Sequence, residues 1–253
     1  MTSVKYRNPF DLDTPESTLF HKDIILKKRI LKRLYSEWYD RFFRSAKACG
    51  EGTYLEIGSG GGFLKDVFPE AVTSDILPLP TVDIVCSAES LPFNDSSIAC
   101  IMMLNVFHHI PRPHLFLDEA QRCLVPGGKA LMIEPANSML GRFVYTRFHH
   151  EPFDPDGSWE IEPGNPVSNS NQALPYIYFE RDKTLFDERF PQLTLENIRY
   201  HTPFMYLVSG GLSRNPMLPH GMYRTVKFAE WLFSPLNRYM GLFCSIELRK
   251  TVG

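Results

Sequence analysis

The sequence has no apolar run approaching the roughly 20 residues a membrane span requires, so a soluble chain is expected. The opening Met1–Phe10 lacks the apolar core of a secretion signal, which points to the cytoplasm. Paired cysteines are also missing. Cys49, Cys86, Cys100, Cys123 and Cys244 are scattered without C-x-x-C or disulfide-like spacing, as in a reducing compartment. Neither charge sign dominates: 27 basic against 29 acidic residues leave −2, and no global basic field argues for nucleic acid. There is no internal repeat and no low-complexity tract. What remains is 253 residues, enough for one α/β domain with insertions and a sizeable core.

The most informative stretch is Thr53–Lys65. Tyr54, Leu55 and Ile57 read as the end of a buried strand, and Gly58, Ser59, Gly60, Gly61 and Gly62 as a tight turn. Phe63, Leu64, Val67 and Phe68 then form the apolar stripe of a short helix that Pro69 ends. Such a turn lets a ligand lie against bare backbone and aims amides from the helix start at it. A dinucleotide fingerprint would need a third glycine where Phe63 stands. The pattern present is Glu56-x-Gly58-x-Gly60-x-Gly62. An acid at the strand end would repel a pyrophosphate and suits a ligand carrying an ammonium and a sulfonium.

This stretch resembles the first motif of the class I S-adenosylmethionine-dependent methyltransferases, and the segments after it keep the resemblance. Ala71–Asp75 reads as a second strand, with Asp75 seventeen residues past Gly58, near the spacing at which an acid meets ribose hydroxyls (about 20). Ile76 would then lie against adenine. Ser87-Ala-Glu-Ser-Leu-Pro-Phe93 is similar to the family's D-A-x-x-L-P-F segment, with Ser87 in the acid's place and Ala88 donating its amide. Glu89 is read as a helix N-terminal acid, or as a substitute for the missing one. Asn105 closes the fourth strand near the methionine moiety. The helix His114–Leu124, its Val125-Pro-Gly-Gly128 turn and the strand Lys129–Glu134 resemble the ubiquinone/menaquinone-methyltransferase-like branch. The resemblance spans about residues 50–135, the expected cofactor-binding core. It implies a Rossmann-like seven-stranded, mostly parallel sheet with strand seven antiparallel, helices on both faces, and insertions after strands five and six.

Outside that core the readings are open. One amphipathic helix is predicted over 17–46, with Tyr35, Trp38 and Tyr39 on its apolar side and a basic remainder. It is read as a solvated face, as a wall of the substrate pocket, or as a peripheral membrane contact. His108 and His109 stand where a proton acceptor would be useful. As neighbours in sequence, only one of them is expected to face the site, and structural packing is the competing reading. The insertions 145–182 and 203–238 are expected to shape the substrate side or a lid. His149 and His150 are further candidates there; with Glu151 and Asp154 they match no standard ligand spacing, so no metal is expected. Ser209–Arg214 is read either as an anion-binding turn using its amides and Arg214, or as a plain loop.

The expected activity is methyl transfer from S-adenosylmethionine to a small-molecule or lipid- or carrier-linked acceptor, with no nucleic-acid partner. Two alternatives are a non-catalytic S-adenosylmethionine-binding module and a nicotinamide oxidoreductase.

Overall fold

The computed structural model describes residues 6, 8–162, 164–165 and 167–252, so the extended lead-in expected for 1–16 lies partly outside the described residues. Seven strands make one sheet: β1 (Thr53–Ile57), β2 (Val72–Asp75), β3 (Ile84–Val85), β4 (Ile98–Leu104), β5 (Leu124–Pro135), β6 (Leu193–His201) and β7 (Phe243–Lys250). Their order is β3-β2-β1-β4-β5-β7-β6. β7 runs antiparallel to both neighbours while β1 to β5 pair in parallel. The order turns back between β1 and β4, and open α/β sheets bind ligands at the strand ends of such a switch point.

β4 is central because its run Ile98–Met103 has apolar side chains on both faces, all fully buried. One face packs Leu55, Ile57, Ile101 and Met103 against α4 (Pro113–Cys123) and α6 (Leu174–Tyr176) with the π-helical turn Ile177–Arg181 behind it. The other face packs Cys100, Met102, Leu131 and Ile133 against α2 (Arg29–Lys47).

The single helix predicted for 17–46 is two. α1 (Pro15–Lys27) and α2 are broken at Lys28, whose backbone is extended. No glycine or proline marks the break. It follows from tertiary contact: the buried Lys28 ammonium donates to the carbonyls of Gly211 (2.6 Å) and Arg214 (2.5 Å). Burial lowers its pKa to about 8. The remaining helices are α3 (Leu64–Val67), α5 (Met139–Phe148), α7 (Lys183–Arg189), α8 (Met205–Val208), α9 (Tyr223–Leu232) and α10 (Asn237–Met240). Two insertions follow β5 and β6, as expected. No helix among the described residues is long and apolar enough to cross a membrane.

Candidate active site

The carboxyl ends of β1, β2 and β4 bring the cofactor candidates together. Glu56 is buried, its Oε2 has no hydrogen-bond partner, and burial pushes its carboxyl up to about 8. Gly58 and Gly60 have φ of +67° and +43°, where side chains are disfavoured. A Cβ at Gly58 would also lie 2.5 Å from Val106 Cγ2. Asp75 is a buried acid on the turn, not a surface residue: Oδ2 accepts from the Gly60 amide (2.8 Å) and Oδ1 from Leu77 (2.9 Å). A carboxylate has about four lone-pair sites, so both oxygens keep capacity for a diol. Asn105 holds a φ of +57° and buries an Oδ1 without a partner. Ser59 Oγ is a third buried polar atom left unpaired.

The expected row of free amides is not there. Ser59 donates to the Ser74 carbonyl (2.9 Å), Gly62 to that of Ser59 (2.7 Å), and Phe63 to the Tyr39 hydroxyl (3.3 Å). α3 is only four residues long, too short for a strong macrodipole. The adenine side differs too. No helix follows Ser87, whose hydroxyl accepts from the Glu89 amide (3.1 Å). Glu89 is held by the Arg112 guanidinium (2.7 Å) and amide (2.9 Å), so it neither starts a helix nor faces the turn. Ala88 packs at the core edge and Ile76 is 52% exposed beyond β2.

α1 lies across the glycine turn. Thr18 Cγ2 sits 3.7 Å from where a Gly60 Cβ would stand, and the Lys22 amide 3.0 Å from one on Gly61. The hollow left among Lys22, Glu56, Ser59 and Gly62 measures about 60 Å³, where ligand pockets hold roughly 300 Å³ or more. The buried, unpaired acceptors Glu56 Oε2 and Asn105 Oδ1 fit a cationic ligand, and with α1 in this position the hollow is smaller than such a ligand. Lys22 and Lys65 both line that hollow.

A second cluster forms past β4. His108 and His109 occupy a 3-10 turn with rings 4.2 Å apart, and both face Glu151, correcting the expectation that only one could. A 3-10 turn packs successive residues tightly enough for this. His108 Nδ1 donates to Glu134 Oε2 (2.6 Å) and its Nε2 lies 3.4 Å from Glu151 Oε2. Burial lowers the His108 pKa, but the two carboxylates outweigh it and hold it near 9. Burial and the neighbouring His108 bring His109 down to about 4. Glu151 is held well below the carboxylate range by His108, against its burial. Gln172 Nε2 bridges Glu151 Oε2 (2.7 Å) and His149 Nδ1 (2.7 Å). His150 is mostly exposed at the rim, 3.8 Å from Glu151. Sequence reasoning missed Glu134, which also caps the Val106 and Phe107 amides (2.8 Å each). Its signal was an acid ending an apolar strand, as at Glu56 and Asp75.

The proposed substrate residues are placed otherwise. Trp38 and Tyr35 are core side chains, 4.9 Å from Phe243 and 6.5 Å from Phe63 between ring centres, because α2 packs flat on the sheet. Tyr39 braces the glycine turn. Around Arg214 the Ser209–Arg214 turn points carbonyls at Lys28, and its Gly210, Gly211 and Arg214 amides are used internally, so it is no anion cradle. Phe228, Trp231 and Leu232 of α9 are exposed.

Residues 55–132 match the family described as "Methyltransferase domain". Residues 55–132 carry a methyltransferase domain, with S-adenosylmethionine as cofactor. No curated protein sequence matches the chain. Among solved structures, the methyltransferase resembles geranyl diphosphate C-methyltransferase from Streptomyces coelicolor A3(2). That protein was crystallised with Mg2+, geranyl diphosphate and S-adenosyl-L-homocysteine. Identity is 13%, 92% of this chain and 84% of that one are covered, and the TM-score is 0.53. An S-adenosylmethionine-dependent methyltransferase, possibly a histamine N-methyltransferase, from Thermotoga maritima matches at 17% identity, 90% and 99% coverage and a TM-score of 0.50. Both likenesses are of fold: the sheet with one antiparallel strand.

Proposed function

We propose that the methyltransferase moves the methyl group of S-adenosylmethionine to a small-molecule acceptor with an apolar body, lipid- or carrier-linked. Bound there, the cofactor supplies an electrophilic methyl on sulfur. The observation that carries the reading is the buried, unpaired Glu56 Oε2 beside a turn whose Gly58 leaves no room for a Cβ. Glu56 would take the amino group, Asp75 the ribose, Asn105 the methionine end, and Ser87 with Ala88 the adenine edge. Leaving Glu56 Oε2 unpaired costs free energy that a bound ammonium offsets.

In-line displacement asks the protein mainly for alignment and exclusion of water. Closure of α1 over the glycine turn meets the second need. Beyond β4, the neutral His109 ring, whose Nδ1–H is held by the Asn169 carbonyl, has its Nε2 lone pair to take a proton from a hydroxyl or amine acceptor, while His108 stays charged between its carboxylates. The V-P-G-G sequence after α4, which lies at the start of β5, supports placement near the ubiquinone/menaquinone-like branch. Exposed aromatic side chains on α9, with Met139, Phe143 and Phe148 on α5, support an acceptor delivered from an apolar phase.

Calorimetry with S-adenosyl-L-homocysteine tests the cofactor half: saturable binding is expected, weakened at least tenfold by Glu56→Gln. Indifference at millimolar ligand would sink it. Methyl-labelled cofactor added to cell extract should then label the lipid fraction. Label in no fraction, with binding intact, would favour a non-catalytic module.

A further inference from the structure

We propose that His108, His109 and Glu151 form a binding site for one first-row divalent cation of the zinc–iron class. One ligand atom from each lies within 4.8 Å of the others. His108 Nε2 is 3.4 Å from Glu151 Oε2, and His109 Nε2 is 3.9 Å from Glu151 Oε1. Ligands bound at roughly 2.1 Å in a tetrahedron stand about 3.4 Å apart; the His108–Glu151 pair is already at that spacing, and rotation of the His109 and Glu151 side chains by about an ångström brings in the rest.

The outer contacts argue for a metal more strongly than the distances do. Each ligand is oriented by a partner of its own. His108 gives its Nδ1 proton to Glu134 Oε2 (2.6 Å), and His109 gives its own to the Asn169 carbonyl (3.2 Å). A carbonyl only accepts, so Nδ1 of His109 carries the proton, and in the neutral ring Nε2 is a lone pair. That lone pair lies 3.9 Å from a carboxylate oxygen, so two electron-rich atoms are held close together. A cation between them turns repulsion into coordination, and on binding it displaces to solvent the proton that His108 Nε2 otherwise holds against Glu151. Gln172 Nε2 holds the third ligand at 2.7 Å. Carboxylate–histidine pairs of this kind fix ring orientation and raise ligand basicity in metal sites. Two imidazoles and one carboxylate suit zinc or iron(II), and leave further positions for water or an acceptor oxygen. A hydroxyl bound there would ionise more readily.

The site does not depend on the cofactor reading; only its placement beside the acceptor rests on it. The test uses the full chain, stripped with a chelator and titrated with Zn2+ by calorimetry and Co2+ by visible absorption. One equivalent of tight binding is expected. His109→Ala and Glu151→Ala should each weaken Zn2+ binding at least about 100-fold. Glu134→Gln, which keeps all three ligands, should weaken it roughly 10–100-fold. His114→Ala, a surface histidine paired with Glu160, should leave it unchanged. Wild-type chain that takes up no stoichiometric metal overturns the proposal, leaving His108 as a buried cation between carboxylates. So does uptake that survives both ligand deletions in folded protein. S-adenosyl-L-homocysteine binding is measured on the same preparations. Metal uptake without it would sink the proposed function alone, and the converse would sink this inference alone.

Discussion

The two ends of the site are built in opposite ways. The glycine-turn end comes from one stretch, residues 56–62, with Asp75 added from the adjoining strand; its acids are buried with hydrogen-bonding capacity to spare. The histidine end gathers residues 108, 109, 134, 151 and 172 from separate segments, and its acids are already engaged. A local motif works through backbone shape, which one short sequence can specify. A side-chain cluster works through convergence, which requires the whole sheet and an insertion to be in place.

The comparison breaks most severely at Gly58. Gly58→Val sets a side chain into Val106 at a positive φ, and should abolish cofactor binding while costing about 3 kcal/mol or more of stability by urea denaturation. Next comes Trp38→Ala, a core truncation expected to cost about 3–5 kcal/mol. If it altered acceptor KM at full stability, the placement of Trp38 in the core would be wrong.

Glu56→Gln separates the two ends by pH. A buried carboxyl with a folded pKa near 8 and an ordinary unfolded value near 4.5 binds its proton more tightly when folded. It therefore stabilises the ligand-free protein fully below about 4.5, and that contribution is lost as pH rises towards 8. Melting of the ligand-free chain should fall across this window by an amount on the order of a few kcal/mol, and the fall should shrink in Glu56→Gln. An unchanged pH profile in the variant would show that Glu56 is solvated. Asp75→Ala should weaken S-adenosyl-L-homocysteine about tenfold, a loss of ~1.4 kcal/mol, by calorimetry. The smallest effect is expected at Trp231→Ser on the exposed face of α9: stability within about 0.5 kcal/mol by urea denaturation.

Much of the core was legible because strands buried on both faces write unbroken apolar runs, as Ile98–Met103 does, and because Gly58 and Gly60 mark backbone that other residues resist. The break at Lys28 left no mark, since an ordinary helix-forming lysine is drawn out of line by two carbonyls 183 and 186 residues away. Tyr35 and Trp38 looked equally fit for a pocket or a core; amphipathicity tells which side is apolar but not what covers it. The Ser209–Arg214 turn reads as amides or carbonyls depending on which way it faces, and only the incoming Lys28 decides that.

By itself the sequence determined the sheet, its glycine turn and the acids at its strand tips, because these follow from side-chain periodicity and from steric limits acting over a few residues. Tertiary structure alone decided that α1 lies on the turn, that Tyr39 braces it, and that Glu134 and Glu151 close on His108 from opposite sides. Those contacts join positions far apart in the chain, and their energy exists only once the core between them has packed.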